Sequence, residues 1–76
     1  MDLTIIQSDY FNALYENGTL KSSGKPCYLD AETLALTFPE ARFFTAPQDL
    51  CAEVLDGVDY PRELTDFPLE RCIRIR

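Results

Sequence analysis

Apolar residues recur with a strand-like period of two at both ends of this chain and with a helical period between them. Residues 3–7 (LTIIQ) are rich in β-branched side chains and predict a first strand. Alternation puts Leu3, Ile5 and Gln7 on one face and Thr4 and Ile6 on the other. Ser8-Asp9 predicts a turn or bulge, because both side chains bond nearby backbone amides. Residues 10–16 and 19–23 flank Asn17-Gly18, the pair best suited to a type I′ hairpin, in which both central residues take φ > 0. A two-residue loop sets Glu16 opposite Thr19, Tyr15 opposite Leu20, Leu14 opposite Lys21 and Ala13 opposite Ser22. Phe11, Ala13, Tyr15 and Leu20 then share a core face. Asn12, Leu14, Glu16, Thr19 and Lys21 form the outer one.

After a loop at residues 22–26, the period changes. Asp30 is a good helix N-cap, and Leu29 and Leu34 have the spacing of a hydrophobic staple across it. Ala31, Leu34, Ala35 and Phe38 fall on one stripe, and Pro39 ends the helix. Residues 41–45 (ARFFT) predict a short aromatic strand. Residues 45–48 (TAPQ) carry a capping-box pattern that opens a second helix over 47–56, stopped by Gly57. Leu50, Cys51, Val54 and Leu55 make its buried stripe. Residues 59–68 read as a loop with one helical turn near 62–65. Residues 69–76 (LERCIRIR) alternate as a last strand, with Ile73 and Ile75 expected to face the helices and the arginines guarding a sheet edge. The expectation is an α+β domain spanning 1–76, of order β-β-β-α-β-α-β. Its sheet is mostly antiparallel, with both helices packed on one face.

Composition narrows the function classes. Thirteen carboxylates against seven basic residues give a net charge of −6, which disfavours direct contact with nucleic acid or anionic membrane. A basic protein or nucleoprotein complex is the better-matched partner. Three widely spaced cysteines do not make a disulfide framework, and the opening MDLTIIQSDY does not read as a signal peptide. The expected compartment is the cytosol. Seventy-six residues make a thin core, so self-association is a second expectation.

Catalytic chemistry finds little footing. There is no histidine, no paired CxxC and no glycine-rich phosphate loop. Cys51 and Cys72 read as small buried hydrophobes, and Cys27 as the exposed thiol. The acids of residues 49–59 follow helical rather than EF-hand spacing, so no calcium site is expected. The expectation is a non-enzymatic protein with no cofactor and no metal.

The acidic distribution is the most suggestive feature. Eight acids lie between Glu40 and Glu70, opposed in that interval only by Arg42 and Arg62. Asp49, Glu53 and Asp56 fall at i, i+4 and i+7 on the second helix, about 5–6 Å apart. Such a ridge could occupy the basic groove of a nucleic-acid-binding protein, and it is equally a solvated face that keeps a small protein soluble. Asp59, Glu63 and Asp66 continue the acidic run. Tyr10, Tyr60 and Phe67 are either exposed anchors beside it or rings folded over the sheet edge. The candidate partner-binding residues are Asp49, Glu53, Asp56, Asp59, Tyr60, Glu63 and Asp66.

The opening, a strand followed by Ser8-Asp9 and then Leu14-Tyr15-x-Asn17-Gly18-x-Leu20, resembles the start of small proteins of bacteria and their phages. No activity travels with that likeness. In size, acidity and α+β pattern the chain also resembles phage-encoded inhibitors of host defence, the anti-CRISPR proteins. That resemblance implies an inhibitor that binds the nucleic-acid groove or an assembly surface of a CRISPR-Cas effector. Those proteins share no motif, so no residue is carried over. The alternative is an oligomerising module that uses the outer hairpin face around Leu14, or an open strand edge.

Overall fold

The sheet is built outward from β1 (Leu3–Gln7), whose first four residues are all buried. The computed structural model describes residues 2–54 and 60–76. β1 pairs antiparallel with β2 (Asn12–Glu16), which pairs antiparallel with β3 (Thr19–Gly24). On its other side β1 pairs in parallel with β4 (Arg42–Thr45), and β4 pairs antiparallel with the two-residue β5 (Ile73–Arg74). The order is β3-β2-β1-β4-β5. Helix α1 (Ala31–Thr37) bridges β3 to β4, and α2 (Gln48–Val54) follows β4. The element order and the α+β class are those the residue pattern predicts.

The placement of the helices differs from the expectation. Ala31 and Ala35 of α1, with Leu34 and Phe38, pack on Leu3, Ile5, Leu14 and Phe43. Leu50 and Cys51 of α2, with Tyr60 and Phe67, pack on Ile6, Ala13 and Tyr15. Because side chains alternate along β1 and β2, these are opposite faces of one sheet. The helices therefore sandwich the sheet, and both faces of its central strands are core. That is why Leu3, Thr4, Ile5 and Ile6 form a continuous buried run rather than an alternating one. It also removes Leu14, 4% exposed, from any outer hairpin face.

The hairpin turns as expected, with Asn17 at φ 54° and Gly18 at φ 83°. Glu16 faces Thr19 and Tyr15 faces Leu20, but the register then slips, so Leu14 faces Ser22 and Ala13 faces Ser23. Lys21 is the extra residue, a bulge that the turn alone does not reveal. Its ammonium reaches back to the Glu16 carboxylate at 2.7 Å. The Asn17 amide donates to the Asp2 carbonyl at 2.7 Å and its side-chain oxygen accepts from the Asp2 amide at 3.0 Å, tying the turn to the start of β1.

The late segment hangs on this hairpin. The Leu20 amide donates to the Arg62 carbonyl at 2.7 Å and the Leu64 amide to the Gly18 carbonyl at 2.8 Å, so Glu63 bridges Thr19 across the edge of β3. The chain then makes two 3₁₀ turns, Leu64–Asp66 and Leu69–Arg71. The second occupies the start of the expected 69–76 strand, because Arg71 and Cys72 donate to the carbonyls of Pro68 and Leu69. The regular ladder with β4 is confined to Ile73–Arg74, and Ile75 and Arg76 continue it through backbone bonds with Phe43.

Asp30 caps α1, its carboxylate accepting from the Glu32 amide at 3.1 Å and the Thr33 hydroxyl at 3.0 Å. At the other end, Arg76 Nη2 donates to the carbonyls of Ala35 and Phe38 at 3.1 Å and approaches that of Ala41 at 3.5 Å. Orphan carbonyls at a helix C-terminus are thereby met by a cation, the favoured sign there. Arg76→Ala should lower stability by about 1 kcal/mol, seen as a melting temperature reduced by roughly 4–8 °C.

Candidate interaction surfaces

Helix α2 is anchored by Leu50 and Cys51, each 1% exposed, which turns Asp49 and Glu53 outward. Glu53 Oε2 lies 2.9 Å from Arg71 Nη2, on the second 3₁₀ turn. The bond and charge of Glu53, then the charges of Asp49 and Glu70, hold the Arg71 guanidinium even more firmly protonated than usual. One arginine thus sits among three carboxylates, two of them predicted site residues or their helical neighbours. Both partners of the ion pair are solvated, so it is a weak fastening rather than a structural one.

The other candidates are placed less uniformly. Glu63 and Asp66 are exposed, but Glu63 lies beside the hairpin edge and Asp66 in the first 3₁₀ turn. Asp56 and Asp59 lie outside the described residues, as do Leu55 and Gly57. Tyr60 is 4% exposed and is a core residue, not a surface anchor. Its ring tilts against Phe67 at 5.4 Å, and its hydroxyl donates to the Phe11 carbonyl at 2.8 Å. A buried tyrosine whose polar tip meets a backbone acceptor is a stable arrangement. Phe67 is likewise buried, leaving Tyr10 as the exposed ring of that trio.

Two of the three thiols follow the sequence reading, and Cys72 is less buried than expected. Cys51 is buried, Cys72 half-buried and Cys27 exposed. Burial, with Cys51 and Glu70 nearby, pushes Cys72 up to about 11. Burial also raises Cys51, reinforced by the negative charges of Asp9 and Asp49 and opposed by its bond with Ser8. Neither thiol is a ready nucleophile. Between about pH 9 and 11 an unfolded chain sheds the Cys72 proton while the folded chain keeps it, so stability should fall as pH rises through that window. Denaturation midpoints measured across it would show the decline, and Cys72→Ala should lessen it, leaving the share due to Cys51.

Two surfaces were not anticipated from sequence. Arg42, at the start of β4, donates through Nη2 to Thr4 Oγ1 at 2.8 Å and lies 3.4 Å from Asp2. Its Nε is buried without a hydrogen-bond partner among the described residues. It opens on a cleft of about 470 Å³ lined also by Asp2, Gly18, Leu64 and Glu70. Two carboxylates against one guanidinium make this a poor anion pocket. The second surface is apolar. Leu36 of α1, 83% exposed, and Ile73 and Ile75 of the β5 edge, 61% and 55% exposed, stand in solvent. The two isoleucines are not turned into a core as expected, because a seven-residue helix about 10 Å long covers only the central strands. Between Leu36 and Ile75, over Phe43, runs a groove of about 320 Å³. Leu36 was legible as the one apolar residue of α1 outside its stripe.

No group of three or more potential metal-ligating side chains occurs among the described residues, and no described helix is long and apolar enough to cross a membrane. No family model, curated protein or solved structure matches this chain.

Proposed function

We propose that this protein is a non-enzymatic binding protein whose acidic α2 face docks on the basic, nucleic-acid-binding surface of a larger complex, as an inhibitor of a host defence assembly such as a CRISPR-Cas effector. The observation that carries this reading is the exposure of Asp49 and Glu53 on one helix face, with Glu70 beside them and Arg71 as the cation among them. Carboxylates at helical spacing on a rigidly anchored element present a row of negative charge that a phosphate-binding groove would attract. Glu63 and Asp66 extend the negative field along the following segment, and Tyr60 serves by fixing that segment to the sheet. Such a surface needs no active site, since occupation of the groove alone excludes nucleic acid.

The reading is tested by capturing partners on the immobilised chain at low salt and identifying them by mass spectrometry. Basic nucleic-acid-binding complexes, released as salt rises, are expected. Partners that are acidic, or that are retained equally at high salt, would contradict it.

A further inference from the structure

We propose that the β5 edge, with the groove between α1 and β5, is a second docking site that accepts an extended segment of alternating apolar and acidic residues from a partner protein, added as a strand beside β5. The site is separate from the acidic face of α2 and does not depend on it. Three observations carry it.

The first is backbone. β5 is the last strand of the order β3-β2-β1-β4-β5, paired only with β4. Its inner groups are used: the Ile75 amide donates to the Phe43 carbonyl at 2.8 Å and the Phe43 amide to the Arg76 carbonyl at 2.9 Å. Strand alternation then turns the Arg74 amide and carbonyl outward, where an added strand would find them. The opposite edge is protected, since β3 carries the Lys21 bulge and is bridged by Glu63.

The second is apolar surface. Ile73 and Ile75 share one face and are both more than half exposed, and Ile75 lines the groove with Leu36, Phe43, Glu32 and Arg76. An added strand would lay its apolar positions over these side chains.

The third is charge, and it selects the occupant. Residues 71–76 hold three arginines and no carboxylate, whereas residues 1–70 hold four basic residues against thirteen acids. Arg74 lies over the Phe44 ring at 5.7 Å and has no ion-pair partner among the described residues. A second copy paired edge to edge would bring Arg74 against its own counterpart, a like-charge pairing that opposes such a dimer. Arg71 is engaged by Glu53 and Arg76 by the α1 carbonyls, so it is Arg74 that an acidic strand meets with the favourable sign.

The test is an amide-resolved NMR titration of the full chain with two short synthetic peptides, one alternating valine and glutamate and one alternating valine and lysine. The valine-glutamate peptide should give saturable shifts at Phe43, Phe44 and residues 73–76. The valine-lysine peptide should bind at least tenfold more weakly. Arg74→Glu should lose at least tenfold in affinity for the valine-glutamate peptide, and Ile73→Asp, at an exposed position outside both cores, should do the same with the fold checked by circular dichroism. Equal binding of the two peptides, shifts confined to other surfaces, or unchanged affinity in both variants would overturn the proposal. So would sedimentation showing the chain alone to be a dimer that Ile75→Glu dissociates, which would assign the edge to a second copy.

Discussion

Leu14→Glu is expected to abolish stable folding at room temperature. Leu14 is 4% exposed in β2 and packs with Leu3, Ile5 and Phe43 beneath Ala31 and Ala35 of α1. A carboxylate there would be desolvated with no cation in contact, and no rotamer on a central strand carries it to water. Burying an unpaired charge costs several kcal/mol or forces the group to neutralise. The whole domain, at typical stability per residue, has only about 4–11 kcal/mol to lose. Circular dichroism and chemical denaturation would report the result. Were α1 absent from this face, the same substitution would sit on an open hairpin surface and change stability by less than about 0.5 kcal/mol. The substitution therefore decides whether the sheet is covered on both sides.

Its neighbour tests the other face. Tyr15→Ala should cost about 3–5 kcal/mol, because the Tyr15 ring, 0% exposed, is central to the core that joins β1 and β2 to α2 and the late segment. Its hydroxyl donates to the Pro61 carbonyl at 2.6 Å, so the residue also anchors the chain that re-enters after α2. Tyr15→Phe separates the two contributions, since it keeps the ring volume and removes the hydroxyl. That change should cost about 1–2 kcal/mol. The urea midpoint should fall far more for alanine than for phenylalanine. Equal losses would mean that the ring is not the packing centre described.

Local rules made much of this fold legible. Asn17-Gly18 fixes a turn whose φ values few other pairs adopt, and the bounds of β1 follow from its β-branched run. Asp30 and Pro39 bracket α1 by capping chemistry and proline sterics, and the stripe Ala31, Leu34, Ala35 and Phe38 is the one that packs. What stayed hidden depends on contacts distant in sequence. Period and phase state that a helix has an apolar face, not which side of the sheet receives it. The dense runs LTII and ALY were the signal that both sides are covered. The Lys21 bulge shifts Leu14 and Ala13 by one position along β3, which turn geometry does not encode.

The candidate surface was legible in part. Exposed acids at i and i+4 on α2 follow directly from the buried positions of Leu50 and Cys51. Arg71 among them was invisible, because it comes from a turn that interrupts the expected last strand. Tyr60 beside Pro61 resembled a surface anchor by composition, yet its hydroxyl found the Phe11 carbonyl 49 residues away and its ring joined the core. The exposure of Ile73 and Ile75 reflects the short reach of α1, a length the sequence contains but whose consequence requires the sheet order.

A docking role for the acidic face of α2 makes binding depend on its charge. The direct measurement is the affinity of the chain for a captured partner over a range of salt concentrations, for the unaltered protein and for the double substitution Asp49→Lys with Glu53→Lys. Both side chains are exposed, so the fold should survive the change. Reversing two interfacial charges should weaken binding by at least tenfold at low salt and flatten its salt dependence. An affinity and salt slope unchanged by the double substitution would mean that α2 is not the docking surface.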